Sequence, residues 1–134
     1  MTAAPVVVVG LDGATFDLWR FVADDATPTL SSFFEGAATA PLASTKPPGS
    51  APAWPSIVTG VNPGKHGVFG FVERRGYDEV PVRPSYGGVP TLWRELAAND
   101  VSSVFLNVPL TFPPERVEGG VGVSSMLTPP GERG

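Results

Sequence analysis

The stretch Pro5-Val6-Val7-Val8-Val9-Gly10-Leu11-Asp12-Gly13 decides the fold. Four consecutive β-branched residues disfavour helix and suit an extended backbone. The run is apolar on both sides of that backbone. It therefore predicts a buried strand over Pro5 to Leu11, paired in parallel with its neighbours. Asp12 then falls at the carboxyl end of the strand, the edge of an open α/β sheet where ligands bind.

Outward from this strand, helical and extended patterns alternate. Thr15 to Val22 has amphipathic spacing and predicts a short helix. Thr27-Pro28 starts a second helix, with threonine as cap and proline at the first helical position, and Gly36 ends it. Ala37 to Leu42 predicts a second strand. Ser44 to Gly49 contains Lys46-Pro47-Pro48-Gly49 and predicts a loop. Ser50 to Val58 predicts a helix with a polar cap and proline in its first turn. Val61 to Gly70 is turn-rich. Residues 73–88 are polar and predict an exposed loop. Thr91 to Asn99 predicts a helix with Leu92, Trp93 and Leu96 on one face. Val101 to Val108 and Val117 to Val123 predict strands, and residues 128–134 a frayed end. The alternation argues for an α/β fold, a mostly parallel sheet flanked by helices.

Composition narrows the function classes. The 134 residues are 42% hydrophobic and 16% charged, a globular balance. The net charge of −4 gives no basic face, so nucleic-acid binding is not expected. There is no cysteine, which removes disulfides and thiolate metal sites, and only one histidine, His66. No apolar run approaches the ~18 residues of a membrane span. The N-terminus has no basic region followed by a long apolar one, so a cytoplasmic location is expected.

Two residues carry the chemistry. Asp12 is either a cap of the helix that follows it or a hard carboxylate ligand for a divalent ion, held rigidly at a strand end. Ser50 is either a routine helix cap or a nucleophile. A helix N-terminus offers N–H groups and a positive dipole end, a seat for a phosphoryl group. No histidine lies nearby in sequence as a base for Ser50, which points to a metal ion as its activator. Lys65 and His66, in a Gly/Pro-rich turn, read as surface or loop-packing residues. Trp54 and Trp93 read as core anchors. Lys46 is either near a phosphate or simply solvated.

These stretches together resemble one family. Gly10-Leu11-Asp12-Gly13-Ala14-Thr15-Phe16-Asp17 resembles its first metal-binding motif. Ser44-Thr45-Lys46-Pro47-Pro48-Gly49-Ser50-Ala51-Pro52-Ala53-Trp54 resembles its nucleophile segment. Thr59 to Phe69, Pro90-Thr91-Leu92-Trp93, Asn107 to Pro114 and Leu127-Thr128-Pro129 follow in the family's order. The family is the type I phosphodiesterase/nucleotide pyrophosphatase group of the alkaline phosphatase superfamily, and more narrowly the chain is similar to its prokaryotic predicted phosphohydrolases. The resemblance implies an alkaline-phosphatase-like N-terminal portion and a hydrolase of phosphate esters with two divalent metals, usually zinc. It implies that Asp12 binds the metal that also contacts the nucleophile. It implies that Ser50 attacks phosphorus to give a covalent phospho-enzyme, which a water on the second metal releases. Phe71 departs from the family: nucleotide pyrophosphatases have an asparagine there, on a phosphate oxygen.

The family's other Asp and His ligands belong to a later part of its chain. The expectation is therefore an N-terminal segment, residues 1–134, of a metal-dependent phosphohydrolase or phosphodiesterase, incomplete when isolated. The alternative is a non-catalytic truncated or degenerate member acting as an anion-binding or structural domain. A third reading, the phosphate loop of sugar kinases and actin-like ATPases around Asp12-Gly13-Ala14-Thr15, requires a β-hairpin next. The helical spacing from Phe16 to Val22 argues against it.

Overall fold

The computed structural model describes residues 4–21, 26–125, 128 and 131. The chain divides into two compact units, Met1–Leu42 and Ala43–Gly134.

The first unit is helical where it is regular. Helix α1 spans Phe16–Phe21 and α2 spans Pro28–Gly36. The Leu18 N–H donates to Thr15 Oγ1 at 3.1 Å, so Thr15 caps α1. Phe34 collects the rings of this unit, with Trp19 at 4.9 Å and Phe16 at 6.2 Å between centroids, both edge-on. The strand predicted over Pro5–Leu11 does not form. Residues 4–11 pair with no strand, and Val6 to Val9 are 75–86% exposed. The physical reason is a missing partner: among its described residues this unit has no other strand, and an unpaired apolar run forms no ladder. Ala37 to Leu42 likewise forms no strand, and Leu42 is exposed.

The second unit contains the core. Helix α3 spans Ser50–Thr59 and α4 spans Pro63–His66. Strands β1 (Val72–Arg75) and β2 (Asp78–Pro81) form an antiparallel hairpin, Val72 opposite Pro81 and Arg75 opposite Asp78. A 3-10 turn covers Tyr86–Gly88, and α5 spans Leu92–Ala97. Strands β3 (Ser103–Val108) and β4 (Gly120–Ser124) pair in parallel, Val104 opposite Val121 and Leu106 opposite Val123. Helices beside a parallel pair make the chain α/β, as the alternation predicts. Residues 73–88 carry most of the hairpin, and Tyr86, inside that polar stretch, is buried. Of residues 128–134 only Thr128 and Gly131 lie within the described residues.

Buried apolar residues from α3, α5, β3 and the segments between them meet: Ala51 and Val58 from α3, Val68, Tyr86, Trp93, Phe105 and Leu110. Trp93 of α5 stacks on Phe105 of β3, ring centroids 4.1 Å apart and planes 16° from parallel. Gly122 of β4 lies under the same ring, and a Cβ there would collide with Phe105. Leu92, expected to share a face with Trp93, is half exposed, while Trp93 is 4% exposed. One carboxylate ties α5 to the loop after β3. Glu115 Oε2 accepts the Thr91 hydroxyl at 2.7 Å and the Trp93 indole N–H at 2.8 Å, and Arg94 pairs with Glu115 Oε1.

The other face of β3–β4 is bare. Val104 and Leu106 on β3, and Val121 and Val123 on β4, are 46–68% exposed. Parallel sheets are usually covered on both faces. Here only the α5 side is.

Candidate functional site

Asp12 sits in a turn of the first unit. The Ala14 N–H bonds Leu11 C=O across Asp12-Gly13 at 3.4 Å, and Asp12 itself is exposed. The capping role open to Asp12 is filled by Thr15, next to the first residue of α1. Ser50 belongs to the second unit. It is the first helical residue of α3 and Gly49 holds the cap position, so Ser50 is half-buried inside the helix rather than flanking it.

The first turn of α3 is sparse in donors. The opening N–H groups of a helix have no carbonyl partner within it and can face an anion. Pro52, the third residue of α3, has no N–H to contribute. Ser50 and Ala51 supply the first two. Pro55 interrupts the ladder one turn later, and it is fully buried together with the Ala51, Pro52 and Val58 face. The prolines thus pin α3 against the core while thinning its amides.

Of the two readings open to His66, surface or loop-packing, the structure bears out the second. His66 is 2% exposed and fully hydrogen-bonded. Its Nδ1 accepts the Val68 backbone N–H at 3.1 Å, and its Nε2 stands 2.9 Å from Ser56 Oγ. A ring nitrogen that accepts an amide proton carries none, so the proton of the neutral ring is on Nε2. His66 therefore donates to Ser56, and Ser56 donates onward to Pro52 C=O at 3.0 Å. The proton order runs opposite to that of a serine activated by histidine, in which Nε2 must accept. Burial lowers the His66 pKa, partly opposed by the Pro52 carbonyl, and this keeps the ring neutral. Ser56–His66 is thus a fastening between α3 and α4, not a nucleophile and its base.

Beside that fastening is a groove of about 560 Å3. Its walls include Ser44, Thr45 and Lys46 from the loop before α3, Ser56 on α3, and Asn62 and Gly64 around α4. The Gly64 and Asn62 motif was visible in the sequence only as a turn. Nothing in its pattern announces that it faces Lys46.

Among the described residues, no three His, Cys, Asp or Glu side chains gather where a metal ion could be held. No helix of the described residues is long and apolar enough to cross a membrane.

The family model described as type I phosphodiesterase / nucleotide pyrophosphatase matches residues 6–132, nearly the whole chain. The chain belongs to that family. Neither the curated proteins nor the solved structures gave a match.

Proposed function

From this membership we propose that the chain is the nucleophile-bearing segment of a phosphate-ester hydrolase, with Ser50 as nucleophile and Asp12 as a metal ligand. The observation that carries the reading is the family match, which runs through both residues. The position of Ser50 in the first turn of a ten-residue helix supports it. There the helix dipole favours the negative phosphoryl group. The Ser50 Oγ–phosphorus bond would form as the ester oxygen on the opposite side departs with its electron pair. The hydroxyl proton must leave as well, and His66 cannot take it, since its Nε2 already carries one.

The family implies a pair of divalent metals, and zinc in particular. The donors described do not fit such a centre. A catalytic zinc takes about three protein ligands. Asp12 and Ser50 are two oxygen donors, and the described residues gather no set of three His, Cys, Asp or Glu. We therefore derive no step through a metal. The ligand set of the described residues is thus incomplete, and no turnover is expected from it. Its substrate is a small phosphate ester, acted on without nucleic acid or membrane.

The test is zinc-supplemented hydrolysis of bis(4-nitrophenyl) phosphate by the wild-type chain and by Ser50→Ala. Turnover at the zinc blank in the wild type is the expected result. Zinc-dependent turnover that Ser50→Ala abolishes would overturn the incompleteness but keep the nucleophile. Zinc-dependent turnover that survives Ser50→Ala would overturn the nucleophile.

A further inference from the structure

The groove beside α4 has a charge pattern that the proposed chemistry at Ser50 does not use. We propose that it is a separate binding site for a small phosphate-bearing molecule, centred on Lys46.

Among the described residues of its walls, Lys46 is the one that carries a charge, and no carboxylate is among them. An anion entering it therefore meets one full positive charge and, among the described residues, no negative one. The polar groups around that charge divide in two. Thr45 Oγ1 already donates to Pro47 C=O at 2.9 Å, and Ser56 Oγ donates to Pro52 C=O. These two hydroxyls are spent as donors. The Lys46 ammonium, the Asn62 amide and the Ser44 hydroxyl are the donor groups of the walls that can serve a ligand. Three donors of this kind, one of them cationic, match the acceptor oxygens of a phosphate. A volume of about 560 Å3 lies in the range of small-molecule sites, so an organic group can accompany the phosphate.

The groove is distinct from the seat at Ser50. Ser56 is six residues along α3, which sets it roughly 9 Å down the helix axis from Ser50. One phosphate cannot touch both Ser50 and the Ser56 wall. Gly60, which closes the far end of α3, is part of the groove wall, so this is the carbonyl end of the helix. Its half-charge opposes an anion. The binding energy must therefore come from Lys46, and its removal should be decisive.

Four proteins test this: wild type, Lys46→Gln, Asn62→Ala and Ser50→Ala. Each is titrated with inorganic phosphate and with phenyl phosphate, phenol serving as the neutral control, and followed by amide NMR shifts. In the wild type the shifts should centre on Thr45, Lys46, Asn62 and Gly64, with phenyl phosphate the tighter ligand and phenol silent. Lys46→Gln should weaken binding by about tenfold or more, as loss of a charge-assisted contact does. Asn62→Ala should weaken it less, and Ser50→Ala should leave it unchanged. Added salt should weaken it in the wild type. The proposal is overturned if phosphate shifts centre on Ser50 and Ala51, if Lys46→Gln binds like wild type, or if no wild-type shift saturates. Because the readout is binding at Lys46, the result stands whether or not Ser50 proves to be a nucleophile.

Discussion

His66 Nε2 lies 2.9 Å from Ser56 Oγ, with the proton on the histidine side. The pair joins the middle of α3 to the end of α4 and holds Val68 through the second ring nitrogen. A protonated ring would turn Nδ1 into a donor facing the Val68 N–H, so the folded protein resists the charge. His66→Ala should cost about 2–3 kcal/mol, from lost hydrogen bonds and a buried void. The pH dependence follows from the lowered pKa. In the unfolded chain the ring titrates near 6.5, and in the folded chain lower. The stability from this site is complete above pH 6.5 and is lost as pH falls through the folded value. Urea midpoints on either side of pH 6.5 should differ in the wild type, and the difference should shrink in His66→Ala.

Tyr86 gives the opposite pH limit. Its hydroxyl donates to Leu110 C=O at 2.8 Å, and its pKa rises from 10 to about 12, chiefly through burial and secondly through the charge of Glu115. A raised tyrosine pKa adds stability below 10 that is lost as pH climbs toward 12. Tyr86→Phe should be less sensitive to that climb. Glu115→Gln should move the tyrosinate absorbance titration to lower pH. It should also weaken the Thr91, Trp93 and Arg94 contacts, with a net loss of about 1–3 kcal/mol.

Gly87 fixes how closely the 3-10 turn meets α4. Its φ is +61°, and a Cβ there would stand 2.7 Å from the Lys65 carbonyl oxygen. Gly87→Ala combines backbone strain with a collision against main chain that cannot swing away. A loss of about 2 kcal/mol or more in denaturant melts is expected. A loss under half that would mean the turn and α4 are not so closely packed.

The bare face of β3–β4 should behave as an exposed apolar patch. Anilinonaphthalene sulfonate should fluoresce strongly with the wild type. Leu106→Lys, at a position already 62% exposed, should cut that signal and raise the concentration at which the protein self-associates. An unchanged signal would place the dye elsewhere.

What the sequence disclosed follows from local physics. The α3 and α5 helices and the β3 strand begin and end near their caps, turns and apolar runs, because these signals lie within a few residues. Ser50 was legible as a helix-start residue for the same reason. The valine run of residues 6–9 was misread because a strand is a relation between segments. Its composition suits a ladder, and the described residues of its unit hold no partner. Residues 73–88 read as exposed because the polar average of the stretch hides Tyr86, which turns inward, whereas the loop-packing reading of His66 holds. The Lys46 groove was invisible because its walls come from three segments that only folding brings together.

Gly122 and Phe105 form a last relation. The ring over Gly122 is also stacked on Trp93, so a larger residue at 122 must displace a packed pair. These positions should therefore vary together rather than singly. Gly122→Ala alone should unfold the β3–β4 layer, whereas Gly122→Ala with Phe105→Leu should recover part of the loss. In a double-mutant cycle that pair would show a coupling energy of about 1–3 kcal/mol, a signature of shared volume.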